Sequence, residues 1–383
     1  MTTTAERSLP AITCVSSLIA SCPPLLGFEP GECLICVMQT SGAPGTFLAR
    51  VDLVDDADAA IFGQALAATI LRSGAQRVQL VLWLDVEDDA QRSALPGQRL
   101  VEQLDACLEA SGQIDVQVSV ATNGRTWWGL LCQSSDCCGE VGLPVDAEVA
   151  QDVRLNYLLA GYGTLPSRDD LHRRLERDSG RAQETVEELT SLPRRAETLV
   201  SRRRAVDGLW RVLSPGQART RAIGPDCADR HLDRRPEVES PWRGSGGRRT
   251  RIPSRAEAIR DLRDPGIRDA LLIRLALDPT RCRSCWDRTA EALLELLRAA
   301  PTGQGAPAAT LVALVSWLSG DGALATIACQ LARDEDPGYR LAGLTLSLMG
   351  SGLSPDEWRA SCTGLTEEQC LAGTALGPGE FRA

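Results

Sequence analysis

Two apolar runs, Glu32–Thr40 (ECLICVMQT) and Thr46–Leu53 (TFLARVDL), flank the turn-rich SGAPG and predict a β-hairpin with a five-residue loop. From Asp58 to Arg72 the apolar positions recur with helical period, with Ile61, Leu66, Ile70 and Leu71 as candidates for the buried side, until Gly74 stops the helix. Arg77–Asp85 (RVQLVLWLD) reads as a strong strand and Gln98–Gly112 as a helix that ends at glycine. Asp115–Ala121 (DVQVSVA) alternates polar and apolar, as a half-exposed strand does. Asn123–Gly124 is a hairpin-turn pair, so RTWWGLLC (Arg125–Cys132) returns as the next strand. The order β-β-α-β-α-β-β predicts an α/β domain, a mixed sheet with flanking helices, over residues 8–166.

Helical period then takes over. VAQDVRLNYLLAGY reads as one helix, and PSRDD opens another, with Ser167 as N-cap and Asp170 at the capping-box position. Arg-rich helical sequence fills 167–213. Residues 214–254 carry Pro, Gly and Arg without period and predict a mobile basic linker. Residues 255–383 are helical, with Gly/Pro breaks at PTGQGAP and SGLSP. Within them Ala325, Ala332 and Pro337 follow the small-residue spacing of a tetratricopeptide second helix and its closing proline, with Trp317 and Gly320 near the first-helix positions. A tetratricopeptide-like all-helical domain is the expectation, with a plain helical bundle as the alternative. Helices around Trp317–Leu331 and Tyr339–Met349 would pack through Ala325, Ala328, Ala332 and Ala342, and Trp317, Ala325 and Tyr339 are the candidate interaction residues.

At 383 residues the chain has room for two or three domains. All 41 basic residues are Arg. Without Lys, a Walker-type phosphate loop and Schiff-base chemistry are both excluded. The two histidines, His172 and His231, lie in Arg-rich polar stretches far from any nucleophile motif, and no G-x-S-x-G elbow occurs. No catalytic residue is assigned.

The net charge of −10 is uneven. Residues 1–167 hold 8 Arg against 20 acids, residues 168–255 hold 21 against 14, and residues 256–383 hold 12 against 17. An acidic first segment repels phosphate, so nucleic acid is not an expected partner except through the basic linker. The stretch Ile19–Cys22 (IASC) has the form of a lipoprotein cleavage box. However, the preceding region has only Arg7, offset by Glu6, and Pro10, Thr13, Ser16 and Ser17 interrupt the apolar run. A short amphipathic helix is expected there instead. With no apolar run of membrane-spanning length, a cytoplasmic protein with reduced thiols is expected.

Three constellations carry chemistry. Cys132, Cys137 and Cys138 follow the tryptophan pair Trp127–Trp128. As zinc ligands they would need a fourth, from Cys14, Cys22 or Asp136; the alternative is a set of buried or redox-labile thiols. Zinc is the one cofactor this pattern raises. On a strand the two Trp face opposite sides, so one enters the core. The C-x-x-C pair Cys33/Cys36 points to opposite faces of its strand and reads as two buried small hydrophobes. Cys282 and Cys285 (CRSC) precede a helix, without the thioredoxin-type strand that a dithiol site requires. Finally, Asp85, Glu87 and Asp88 in DVEDD follow the strongest strand. Carboxylates there would hold Mg²⁺ in a metal-dependent enzyme, or simply form a solvated acidic loop.

The blocks CPPLLGFEPGECLICV, RVDL, GRTWWGLLCQSSDCCGEVGLPV, AGYGTLPSRDDL, DPGIRDALLIRLAL and VSWLSGDGALATIACQLARDEDPGYRLAGLTL stand in that order. In this the chain resembles actinobacterial proteins grouped as the domain-of-unknown-function family DUF4192. The resemblance covers nearly the whole chain except the linker. It matches SSLIASCPPLLGF to the family's leading helix, leaves Cys282 and Cys285 outside the pattern, and implies no activity. The reading from sequence is therefore a non-catalytic interaction or scaffold protein that takes an unidentified protein partner through its C-terminal helices. The alternative is a divalent-metal enzyme built on the Asp85–Asp89 loop.

Overall fold

A computed structural model describes residues 11–40, 46–131, 140–214, 240–242, 251–278 and 283–373. The chain divides into two compact units, residues 1–171 with 350–352, and residues 172–349 with 353–383.

The first unit is a six-stranded mixed sheet with helices on both faces. Its elements are α1 (Val15–Leu26), β1 (Cys33–Gln39), β2 (Thr46–Asp52), α2 (Ala59–Arg72), β3 (Arg77–Trp83), α3 (Gln98–Ser111), β4 (Asp115–Thr122), β5 (Thr126–Gly129), β6 (Leu143–Pro144) and α4 (Ala147–Leu159). The strand order is β2-β1-β3-β4-β5-β6. Only β3 and β4, joined through α3, run parallel; the β1–β2 hairpin and the other pairs are antiparallel. The predicted returning strand stops at Gly129, and the two-residue β6 carries no periodic signal in the sequence.

β1 and β3 are apolar on both faces because both faces are covered. Leu34, Cys36, Leu80 and Leu82 join Leu100 and Leu104 of α3, Ile70 of α2 and Trp128 of β5 in one core. Cys33, Ile35, Val37 and Val81 on the other face are equally buried. There α1 covers the sheet, with Cys22 fully buried near Cys33, and α4 packs on α1 through Val153, Tyr157 and Ala20. Cys33 and Cys36 thus do point to opposite faces.

Two sequence expectations change. Helix α1 is not amphipathic, because the sheet and α4 enclose it and nearly every residue is buried. Ser17 and Ser21 are tolerated there because they bond locally: Ser17 Oγ donates to Cys14 O at 2.8 Å and Ser21 Oγ to Ser17 O at 2.7 Å. In α2, Ile61 is 70% exposed, and the buried line is Ala59, Gly63, Ala67 and Ile70. A Cβ on Gly63 would meet the Gln103 Cβ at 3.0 Å and the Leu104 N at 3.2 Å. Small residues set this helix pair's spacing, which excludes Ile61 from the interface.

Between and beyond these elements the chain is helical: α5 (Arg168–Leu175), α6 (Ser179–Ser191), α7 (Leu199–Leu213), α8 (Arg255–Leu262), α9 (Pro265–Ala276), α10 (Arg283–Ala299), α11 (Ala306–Ser319), α12 (Gly322–Glu335), α13 (Arg340–Gly350), α14 (Pro355–Cys362) and α15 (Glu367–Ala372). The second unit is all-helical. At its centre α11 is buried from Ala306 to Leu318, as a helix apolar around its whole circumference must be. Trp317 and Ala325 fall on successive helices: Gly320, with φ of 91°, ends α11, and Asp321 caps α12 by accepting from Leu324 N at 2.9 Å. The resulting α11–α12 hairpin buries Ala325, Ala328 and Ala332 completely. Most of residues 214–254 lie outside the described part. Trp242 within them is buried, and its Nε1 donates to Ala292 O at 3.0 Å.

Candidate functional site

The acidic loop after β3 is tied to the turn between β4 and β5. Asp88 accepts from Asn123 Nδ2 at 2.7 Å, Arg125 Nε at 3.3 Å and Thr126 Oγ1 at 3.2 Å. These bonds, the one from Asn123 foremost, hold the Asp88 carboxyl below the usual carboxylate range. Asn123 also donates to Val86 O at 2.9 Å. One residue further on, Gly124 takes a φ of 88°, which suits the Asn-Gly turn. The loop continues over Trp128, whose Nε1 donates to Ala90 O at 3.0 Å. Opposite, Gly142 lies so close that a Cβ there would fall 2.6 Å from the indole. The loop therefore serves as a clasp across the carboxyl ends of β3 and β4. Among the described residues, no group of three or more His, Cys, Asp and Glu side chains is placed to hold a metal ion.

Trp128 is buried and Trp127 half-buried, one on each face as the strand alternation requires. Cys132, Cys137 and Cys138 lie outside the described residues, as do His231 and Cys282. Burial pushes the Cys33 thiol up to about 11 and the Cys36 thiol to about 12, so neither is a ready thiolate.

The helical unit opens a cleft of about 660 Å³ between α7, α9 and α15. Arg274 lies across it. Its Nε donates to Glu367 Oε1 at 2.7 Å, its Nη2 to Glu367 Oε2, and its Nη1 to Asp207 Oδ1 at 2.9 Å. The guanidinium also stands 5.6 Å from the centre of the Trp210 ring. Burial works against its charge, yet the Glu367 and Asp207 carboxylates outweigh that and keep Arg274 more firmly protonated than usual. At the rim, Arg203 pairs with Glu368. A hydrogen bond from the backbone, followed by the Arg203 charge, holds the Glu368 carboxyl below its ordinary range. The lining contains two arginines, Arg203 and Arg274, against four carboxylates, Asp207, Asp278, Glu367 and Glu368. Each arginine is bound to carboxylate, and among the described lining residues the carboxylates outnumber the arginines.

The three residues singled out from the sequence for interaction lie elsewhere. The Trp317 ring packs edge-on against Trp358 at 5.9 Å, and Ala325 is fully buried. The Tyr339 hydroxyl accepts from Arg268 Nη1 at 2.8 Å beneath a cation–π contact of 5.5 Å. All three hold the helical unit together. Sequence reasoning missed the cleft because its walls come from helices far apart in the chain. The only local traces are Arg203 and Asp207 one turn apart and the Thr366–Gln369 capping box that starts α15.

The architecture is a mixed α/β unit with an all-helical unit, and no helix among the described residues is long and apolar enough to cross a membrane. The family model described as Domain of unknown function (DUF4192) matches residues 16–356, nearly the whole chain, and the chain belongs to that family. No curated protein and no solved structure matches it.

Proposed function

We propose that the protein is a cytoplasmic, non-catalytic interaction protein whose helical unit receives a cationic segment of a partner protein. The observation that carries this reading is the cleft between α7, α9 and α15, where four carboxylates outnumber two internally paired arginines. A carboxylate oxygen accepts more than one hydrogen bond, so an incoming guanidinium or ammonium group can share Asp207, Glu367 and Glu368 with their arginines. The acidic loop after β3, by contrast, already has its key carboxylate occupied by Asn123, Arg125 and Thr126. The cytoplasmic assignment is supported by Cys22, Cys33, Cys36 and Cys329, which are buried and outside any disulfide.

The test is binding of a panel of Arg-containing and Glu-containing peptides to the full-length protein, followed by fluorescence anisotropy. Preference for the Arg-containing peptides, reduced about tenfold by Glu368→Arg and by raised salt, supports the reading. Equal binding of both classes, or binding indifferent to Glu368→Arg, would overturn it.

A further inference from the structure

Strand β2 ends the sheet on one side, and the direction of its peptides follows from the hydrogen bonding of the interior. Leu84 N donates to Thr122 O at 2.8 Å, so the even-numbered residues of β3 face β4 and the odd-numbered ones face β1. The register Cys33↔Trp83 to Gln39↔Arg77 then turns the odd-numbered residues of β1 toward β3. Leu34, Cys36 and Met38 are left to bond with β2, where their partners are Val51, Ala49 and Phe47. Thr46, Leu48, Arg50 and Asp52 therefore present their N–H and C=O groups outward. Among the described residues no backbone hydrogen bond reaches that side.

Natural sheets blunt such an edge with unpaired charged side chains, Pro, a bulge or a covering segment. Strand β2 has no Lys or Pro, and its pairing with β1 runs without a register shift. Its two charges neutralise each other, Arg50 Nη1 standing 2.7 Å from Asp52 Oδ1. The edge is also self-complementary about Ala49. In an antiparallel two-fold pairing, Phe47 stands opposite Val51 of the other copy, Leu48 opposite Arg50, and Thr46 opposite Asp52. All four outward residues then fall in hydrogen-bonded pairs. The aromatic and β-branched partners meet in the closer, non-hydrogen-bonded pairs, on the face where Phe47, Ala49 and Val51 are only partly buried. Ala49, the smallest side chain of the strand, sits on the axis, where two identical groups approach most closely.

We propose that β2 pairs antiparallel with β2 of a second copy of this chain, joining the two sheets into one. The test is sedimentation equilibrium of the full-length protein and of Leu48→Pro. Proline removes an outward N–H at the middle of the pairing but none that bonds to β1, so circular dichroism should be unchanged while dimer dissociation strengthens at least tenfold. Ala49→Cys is the second variant. Two cysteines facing across a non-hydrogen-bonded pair fall within disulfide reach, so mild oxidation should give a 49–49 cross-link by peptide mapping and Leu48→Cys should not. A monomer at every concentration, a dimer indifferent to Leu48→Pro, or a β2 edge that binds only a different protein would each overturn the proposal.

Discussion

Single carboxylates show how much one residue's surroundings decide. Asp264 caps α9 by accepting from Gly266 N at 3.0 Å and also accepts from Arg202 Nε at 3.0 Å and from Arg195. Desolvation opposes its charge, but the Arg195 hydrogen bond and the Arg202 and Arg195 charges outweigh it and hold the carboxyl below its ordinary range. A lowered folded pKa means the unfolded chain takes up the proton first. The stabilisation is therefore present above the unfolded value, about pH 4, and is lost as pH falls through the folded value. Thermal melts from neutral to acid pH should show a shallower acid limb for Asp264→Asn, which keeps the cap and loses the charge. Asp264→Ala, which removes the cap and leaves Arg195 only Asp261 and Arg202 only the Leu371 carbonyl, should cost about 1–3 kcal/mol in denaturant unfolding. Asp88 yields a different prediction. A cation bound through Asp88 competes with Arg125, Asn123 and Thr126 for that carboxylate, so calorimetric titration with Mg²⁺ should give no tight binding. Tight binding abolished by Asp85→Ala would promote the metal-enzyme reading.

At the scale of elements, the period-2 and period-3.6 patterns located strands and helices well, because apolar alternation reports burial directly. The patterns were weaker at assigning faces. In α2 Ile61 and Phe62 stand out of the core while Gly63, Ala67 and Ile70 make the contact. Hydrophobicity alone therefore selected the wrong side of that helix at Ile61. Gly63→Val should destabilise the first unit by about 1–3 kcal/mol through overpacking against Gln103 and Leu104, whereas Ile61→Ser should be nearly neutral; chemical denaturation of both variants checks the pair. In the second unit, Ala325→Leu at the fully buried α11–α12 contact should cost about 1–3 kcal/mol by the same measurement.

For the whole molecule, the aperiodic, Arg-rich stretch from 214 to 254 is the expected site of first tryptic cleavage, since little apolar sequence there can hold a backbone in place. Trp242, seated against Ala292, should act as an anchor, so Trp242→Ala should speed that cleavage in a timed digest. A stretch that resists trypsin as long as the helical units would show it to be packed, and the division at 214–254 would fall.

Sequence alone was sufficient for the alternation of strands and helices, the change from mixed sheet to helices, the opposed faces of Cys33 and Cys36, and the absence of lysine chemistry. Each of these depends on local spacing or on composition. The candidate cleft was not legible, because α7, α9 and α15 bring Trp210, Arg274 and Glu367 together across more than a hundred and fifty positions, and no local pattern encodes that meeting. Nor could spacing show that Asp88 is occupied, since its partners Asn123, Arg125 and Thr126 belong to the next hairpin. Tertiary structure decided which charged groups pair with which, because a hydrogen bond needs a separation of about 3 Å between groups that only the fold can supply.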